Sequence, residues 1–227
     1  MRMAFAVKDG VPSMRFETDD SASMLFRHVD IDLAAYPMLA WRWYIELPIR
    51  SPLDDCTREG DDHPAPLFLR FATDHCEKRA MEVIWGNRLK PGEYKYIGGF
   101  PHFIADAGDE RTGRWLDEQI DLARVYGEIW KDAVPPHSID IAVFCDSDDT
   151  HTASISTSSA SNGSDVTTMP IAMSLPDNWC VRRISVRRSD GVSATPASRS
   201  YRATLCGVGG GRSATQQGGI VRIYAWL

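Results

Sequence analysis

Between residues 39 and 47 the side chains alternate without a break. Leu39, Trp41, Trp43, Ile45 and Leu47 fall on one face, Arg42 and Glu46 fall on the other, and Pro48 ends the run. A period of two is the mark of a strand buried on one side and wet on the other. Two tryptophans on the buried side require a second layer to cover them, so Trp41 and Trp43 read as core rather than as sugar-stacking platforms. Shorter runs of the same kind occupy 13–17, 24–33, 67–72, 81–85, 100–105 and 139–145, divided by Gly, Pro and Asp. Strands this short and this numerous predict a mostly β fold, an antiparallel β-sandwich or jelly roll of the galactose-binding-like kind.

One segment leaves that period. From Trp115 to Trp130 apolar residues recur at Leu116, Ile120, Ala123, Tyr126 and Trp130, with Asp117 and Glu118 near the start and Lys131 at the end. This spacing predicts one packed helix over 115–131, with charges placed to suit its dipole.

A change in chemistry follows residue 156. Residues 157–227 contain no Lys and no Glu, eight Arg and three Asp, with 17 Ser or Thr and two glycine-rich stretches. They carry +5 against −11 for residues 1–156. We therefore expect a β-sandwich domain over 1–156 and a low-complexity Ser/Arg/Gly-rich tail over 157–227, either disordered or read in a shifted frame.

With a net charge of −6, the chain has no general attraction to phosphate backbones, and a nucleic-acid partner is not expected. No window approaches the roughly 18 apolar residues of a membrane helix, and residues 1–7 run at once into Lys8 and Asp9, so neither a span nor a signal peptide is read here. The five cysteines are scattered, without zinc spacing, and read as small buried residues, with one disulfide or a free thiol as the alternative.

Several blocks are more specific. They are Tyr36-Pro37-Met38-Leu39-Ala40-Trp41-Arg42-Trp43, then Gly60-Asp61-Asp62-His63-Pro64, Leu67-Phe68-Leu69-Arg70-Phe71 and Ile84-Trp85-Gly86-Asn87. Trp115 with the helix to Tyr126-Gly127 follows, and Asp146-Ser147-Asp148-Asp149-Thr150 closes the series. In this order they resemble domain-of-unknown-function family 3047, over about residues 1–156. The resemblance implies a bacterial jelly-roll protein, periplasmic or secreted if the true N-terminus carries a signal and otherwise cytoplasmic, and it implies no reaction.

Three constellations could carry chemistry. Asp146, Asp148 and Asp149 share one turn, where oxygens two residues apart can converge on calcium, the one cofactor suggested. Asp54-Asp55 and Asp61-Asp62 lie in one loop and could join that turn in holding a metal or in acid/base work. Trp85, Asn87 and Arg88 stand at a strand end where, with Asp61 and Asp62, they could bind a polar ring. The leading functional reading is a non-enzymatic binding module for a saccharide or other polar ligand. The alternatives are a carbohydrate-active hydrolase or lyase using paired Asp, and a cell-envelope assembly protein.

Overall fold

The computed structural model describes residues 1–73, 78–132 and 136–159, side chains included except at residue 139, and the backbone of 168–171, 179–182 and 220–223. The elements are β1 (Arg2–Lys8), β2 (Val11–Asp19), β3 (Ala22–Asp32), β4 (Met38–Leu47), β5 (Leu67–Ala72), β6 (Lys78–Gly86), β7 (Tyr94–Ile97), β8 (Phe100–Ala107), β9 (Trp115–Asp121), α1 (Leu122–Trp130), β10 (His137–Asp146) and β11 (Ala153–Ser159). Three short strands follow, β12 (Thr168–Ile171), β13 (Trp179–Arg182) and β14 (Ile220–Ile223).

They form a two-sheet β-sandwich. The first sheet runs β1-β2-β11-β4-β14-β12 with β9 also on β4, and the second runs β13-β3-β10-β5-β6-β8-β7. Most pairings are antiparallel as expected, but β6 pairs with β8 in parallel, because β8 inserts between β6 and β7. The face predicted for β4 is core from Leu39 to Ile45, with Leu39, Trp41, Trp43 and Ile45 buried beside Trp85 and Tyr126, but Leu47 at the strand end is exposed and Arg42 on the opposite face is buried against β9. Trp43 sits edge-on between Trp41 at 5.3 Å and Trp85 at 5.7 Å, the geometry that aromatic quadrupoles favour.

The helix is present but shorter than the periodicity predicts. Residues 115–121 are instead β9, antiparallel to β4 with Tyr44 opposite Trp115 and Arg42 opposite Asp117. The side-chain oxygen of Asp121, rather than Asp117 or Glu118, caps the helix by accepting the Arg124 N–H at 2.9 Å. From there Leu122, Val125, Tyr126 and Ile129 form the buried stripe, and Lys131 ends it in a left-handed conformation with φ 56°.

β11 runs to Ser159, past the boundary expected at residue 156, and fills the place between β2 and β4. Beyond it, the expected tail lies outside the described residues except for the backbone of β12, β13 and β14. Cys56 and Cys145 are free thiols, Cys145 buried. Among the described residues no helix is long and apolar enough to cross a membrane.

Candidate functional site

Strand alternation sets the site. Met81, Val83 and Trp85 of β6 enter the tryptophan core, so Glu82 must face the other way. Glu82 is opposite His102 on β8, and His102 is opposite Lys95 on β7, so three ionisable side chains stand in one row on the outer face of the second sheet. The segment between β4 and β5 covers this row, bringing Asp61 and His63 down onto it. Its tight turn needs Gly60, where a Cβ would lie 2.2 Å from the Asp54 carbonyl oxygen.

The hydrogen bonds then fix the protons. His63 donates through Nδ1 to the Trp85 carbonyl at 3.1 Å, which leaves Nε2 as an acceptor for Lys95 at 3.2 Å. Lys95 also donates to Asp61 Oδ1 at 2.9 Å and to the Asp55 carbonyl, so all three N–H bonds of its ammonium have acceptors. Burial holds His63 neutral, down to about 4. His102 Nε2 lies 3.4 Å from both Asp61 Oδ2 and Glu82 Oε2. Burial opposes a charge on His102, but the Asp61 hydrogen bond and the Glu82 carboxylate raise its pKa. Burial would also raise Asp61, yet the hydrogen bond from His102 holds it well below the usual carboxylate range. Glu82 is pushed up to about 7 by burial.

The two acidic loops anticipated from the sequence do meet. Asp62 accepts the backbone N–H of Asp149 at 3.3 Å and both the N–H and the hydroxyl of Thr150 at 2.6 Å. In return Asp146 Oδ1 accepts the His63 N–H at 2.9 Å. Burial raises both carboxyls, Asp146 well above its ordinary range with the charges of Asp62 and Glu82 adding to it. These carboxylates clamp one loop to the other through backbone amides. Asp148 and Asp149 are partly exposed in the same turn.

The proposed ring-binding residues gather around the same loop. Asn87 donates its side-chain N–H to the Asp62 carbonyl at 3.1 Å, and Arg88 donates to the Pro52 carbonyl at 2.8 Å. The N–H groups of Asn87 and Arg88 both end on Asp55 Oδ2, at 3.2 and 3.1 Å. Trp85 is 1% exposed and its ring is core. Among the described residues one group of three potential metal ligands has its donor atoms within 4.8 Å of one another, and it is Asp54, Asp55 and Cys56 rather than the Asp146 turn.

Sequence reasoning missed two further features. A shift in the β6–β8 register sets Asp106 opposite Trp85. There Asp106 is held by Arg111 at 2.6 Å and meets Glu118 of the other sheet, whose Oε1 accepts the Trp43 indole N–H at 3.1 Å. Burial, then the charge of Asp106 and the hydrogen bond to it, push Glu118 up to about 8. The second feature is Tyr94 and Tyr96, 44% and 55% exposed on the edge strand β7, their rings 5.9 Å apart and nearly perpendicular. They turn away from Lys95, which the covering segment buries.

The model of a family described as Protein of unknown function (DUF3047) matches residues 2–159. No curated protein matches the chain.

Proposed function

The chain belongs to the DUF3047 family, and from that premise we propose that it is a non-enzymatic binding module for a saccharide or similar polar ring, held at the β7 edge of the second sheet. The observation that carries this reading is the Tyr94–Tyr96 pair. Two neighbouring phenol rings left in water, near a right angle to each other, form a corner. One ring can stack on the apolar C–H face of a sugar while the other offers its hydroxyl as donor or acceptor. Beneath them the Lys95 ammonium has an acceptor for every proton, and Asp62 and Asp146 are engaged with backbone amides, which suits a rigid platform.

A second reading rests on a separate observation. Asp61, Glu82 and His102 adjoin one another, Glu82 is raised to about 7, and the Asp61 side chain keeps 15% of its surface, so this group could exchange protons with a substrate. A glycan array and a reducing-sugar assay on the whole chain separate the two. Binding without sugar release, lost in Tyr94→Ala and Tyr96→Ala at unchanged melting temperature, supports the module. Sugar release abolished by Glu82→Gln replaces it with a hydrolase or lyase. A blank array, or binding undiminished in the double tyrosine variant, refutes it.

A further inference from the structure

The turn Asp54-Asp55-Cys56 adjoins the charged row through the Lys95 ammonium, and one of its atoms lacks what every buried oxygen needs. Asp55 is 2% exposed, and its Oδ2 accepts two backbone N–H groups. Its Oδ1 is fully buried and has no hydrogen-bond partner. Such an acceptor bears its whole desolvation penalty. Lys95 does not relieve it, since its N–H bonds are directed to the Asp55 carbonyl, to Asp61 and to His63. With Oδ2 engaged, Oδ1 is the oxygen of Asp55 left for a further ligand, and one carboxylate oxygen of Asp55, one of Asp54 and the sulfur of Cys56 converge within 4.8 Å of one another. A buried carboxylate oxygen without a donor, beside a second carboxylate and a thiol, is a place for a cation.

We propose that Asp54, Asp55 and Cys56 form a binding site for a divalent transition-metal ion of the zinc class. The donor set selects the ion: two carboxylates alone would suit calcium or magnesium, but a thiolate favours a borderline ion such as zinc. Three protein ligands leave the fourth tetrahedral position to water. An ordinary free thiol is mostly protonated at neutral pH. Coordination then replaces the S–H bond by a sulfur–metal bond and releases that proton to solvent. The ion would fasten the middle of the covering segment, whose later residues Asp61 and His63 lie on the charged row.

Cobalt(II) titrated into the whole chain tests this through the thiolate-to-cobalt charge-transfer absorption. The expected result is a band that saturates at one ion per chain, is displaced by zinc, and is accompanied by release of one proton. Cys56→Ala should remove the band with the far-UV circular dichroism unchanged. Asp55→Asn keeps an oxygen for the two amides and loses the anionic ligand, so affinity should fall roughly tenfold or more. If Asp55→Asn does not fold, exposed Asp54→Asn provides the same readout. No band, an equal band in Cys56→Ala from the remaining thiols, or undiminished affinity in the folded carboxylate variant overturns the proposal.

Discussion

On the outer face of the second sheet, Asp61 and Glu82 are met by Lys95 and His102, whereas between the sheets Asp106 and Glu118 meet each other, with Arg111 on one side only. In each pair one acid is buried and the other half-buried, but the first pair is balanced by cations and the second by a shared proton. The difference teaches what each depends on. The outer row fails when a cation is removed, and the inter-sheet pair fails when the proton is.

Four changes break or sharpen that contrast. The largest effect is expected from Trp43→Ala, which empties the space between Trp41 and Trp85 and takes the indole donor from Glu118. It should cost about 3–5 kcal/mol in urea denaturation, and a variant within 1 kcal/mol of wild type (about the error of such a comparison) would show that this ring is not core. Next comes Lys95→Met, which leaves the half-buried Asp61 carboxylate without its ammonium and should cost about 2–4 kcal/mol. Adding Asp61→Asn should restore part of that loss, and strict additivity of the two would mean that they do not interact.

A smaller effect separates the two groups by pH. Glu118 is raised in the folded chain to about 8 from an ordinary value near 4.5, so folding favours its proton. That stability is fully present below the ordinary value and is lost as pH climbs toward 8. Glu118→Gln mimics the protonated acid and should make the chain more stable than wild type at pH 9 by about 1–2 kcal/mol, discounted for partial exposure. Equal slopes of stability against pH in the two proteins would remove the shared proton. Glu82 acts in the same direction up to about 7, while His63, lowered to about 4, contributes stability that is lost as pH falls from its ordinary value near 6.5 toward 4. The smallest effect is at the surface: Tyr94→Ala and Tyr96→Ala should each stay within about 0.5 kcal/mol in the same denaturation series, and a larger loss would make them structural.

The sandwich was legible because one strand, β4, stated its buried face from Leu39 to Ile45. β9 was not, because a period of two at Leu116, Glu118 and Ile120 has a carboxyl in its middle, and only a partner like the Trp43 indole makes that position tolerable inside. β7 misleads in a similar way. Tyr-Lys-Tyr-Ile suggests buried tyrosines and an exposed lysine, and although Lys95 does face outward, the covering segment buries it while the tyrosines stay in water at the sheet edge. The loop acids Asp61, Asp62 and Asp146 were each singled out, but the sequence could not place the two loops together, nor show their division of labour, since the amides of Asp149, Thr150 and His63 become partners only once the loops meet. Glu82 and His102 were invisible because no local pattern announces a parallel pairing of β6 with a strand that arrives after β7.

The position of β11 between β2 and β4 has a consequence for how the protein is made. While the ribosome is still adding residues up to Ser159, both flanking strands exist without the strand that joins them, and each offers a raw edge beside an incomplete core. Assembly of the first sheet must therefore be a late event in synthesis, and a nascent chain paused before β11 would be the species most in need of a chaperone.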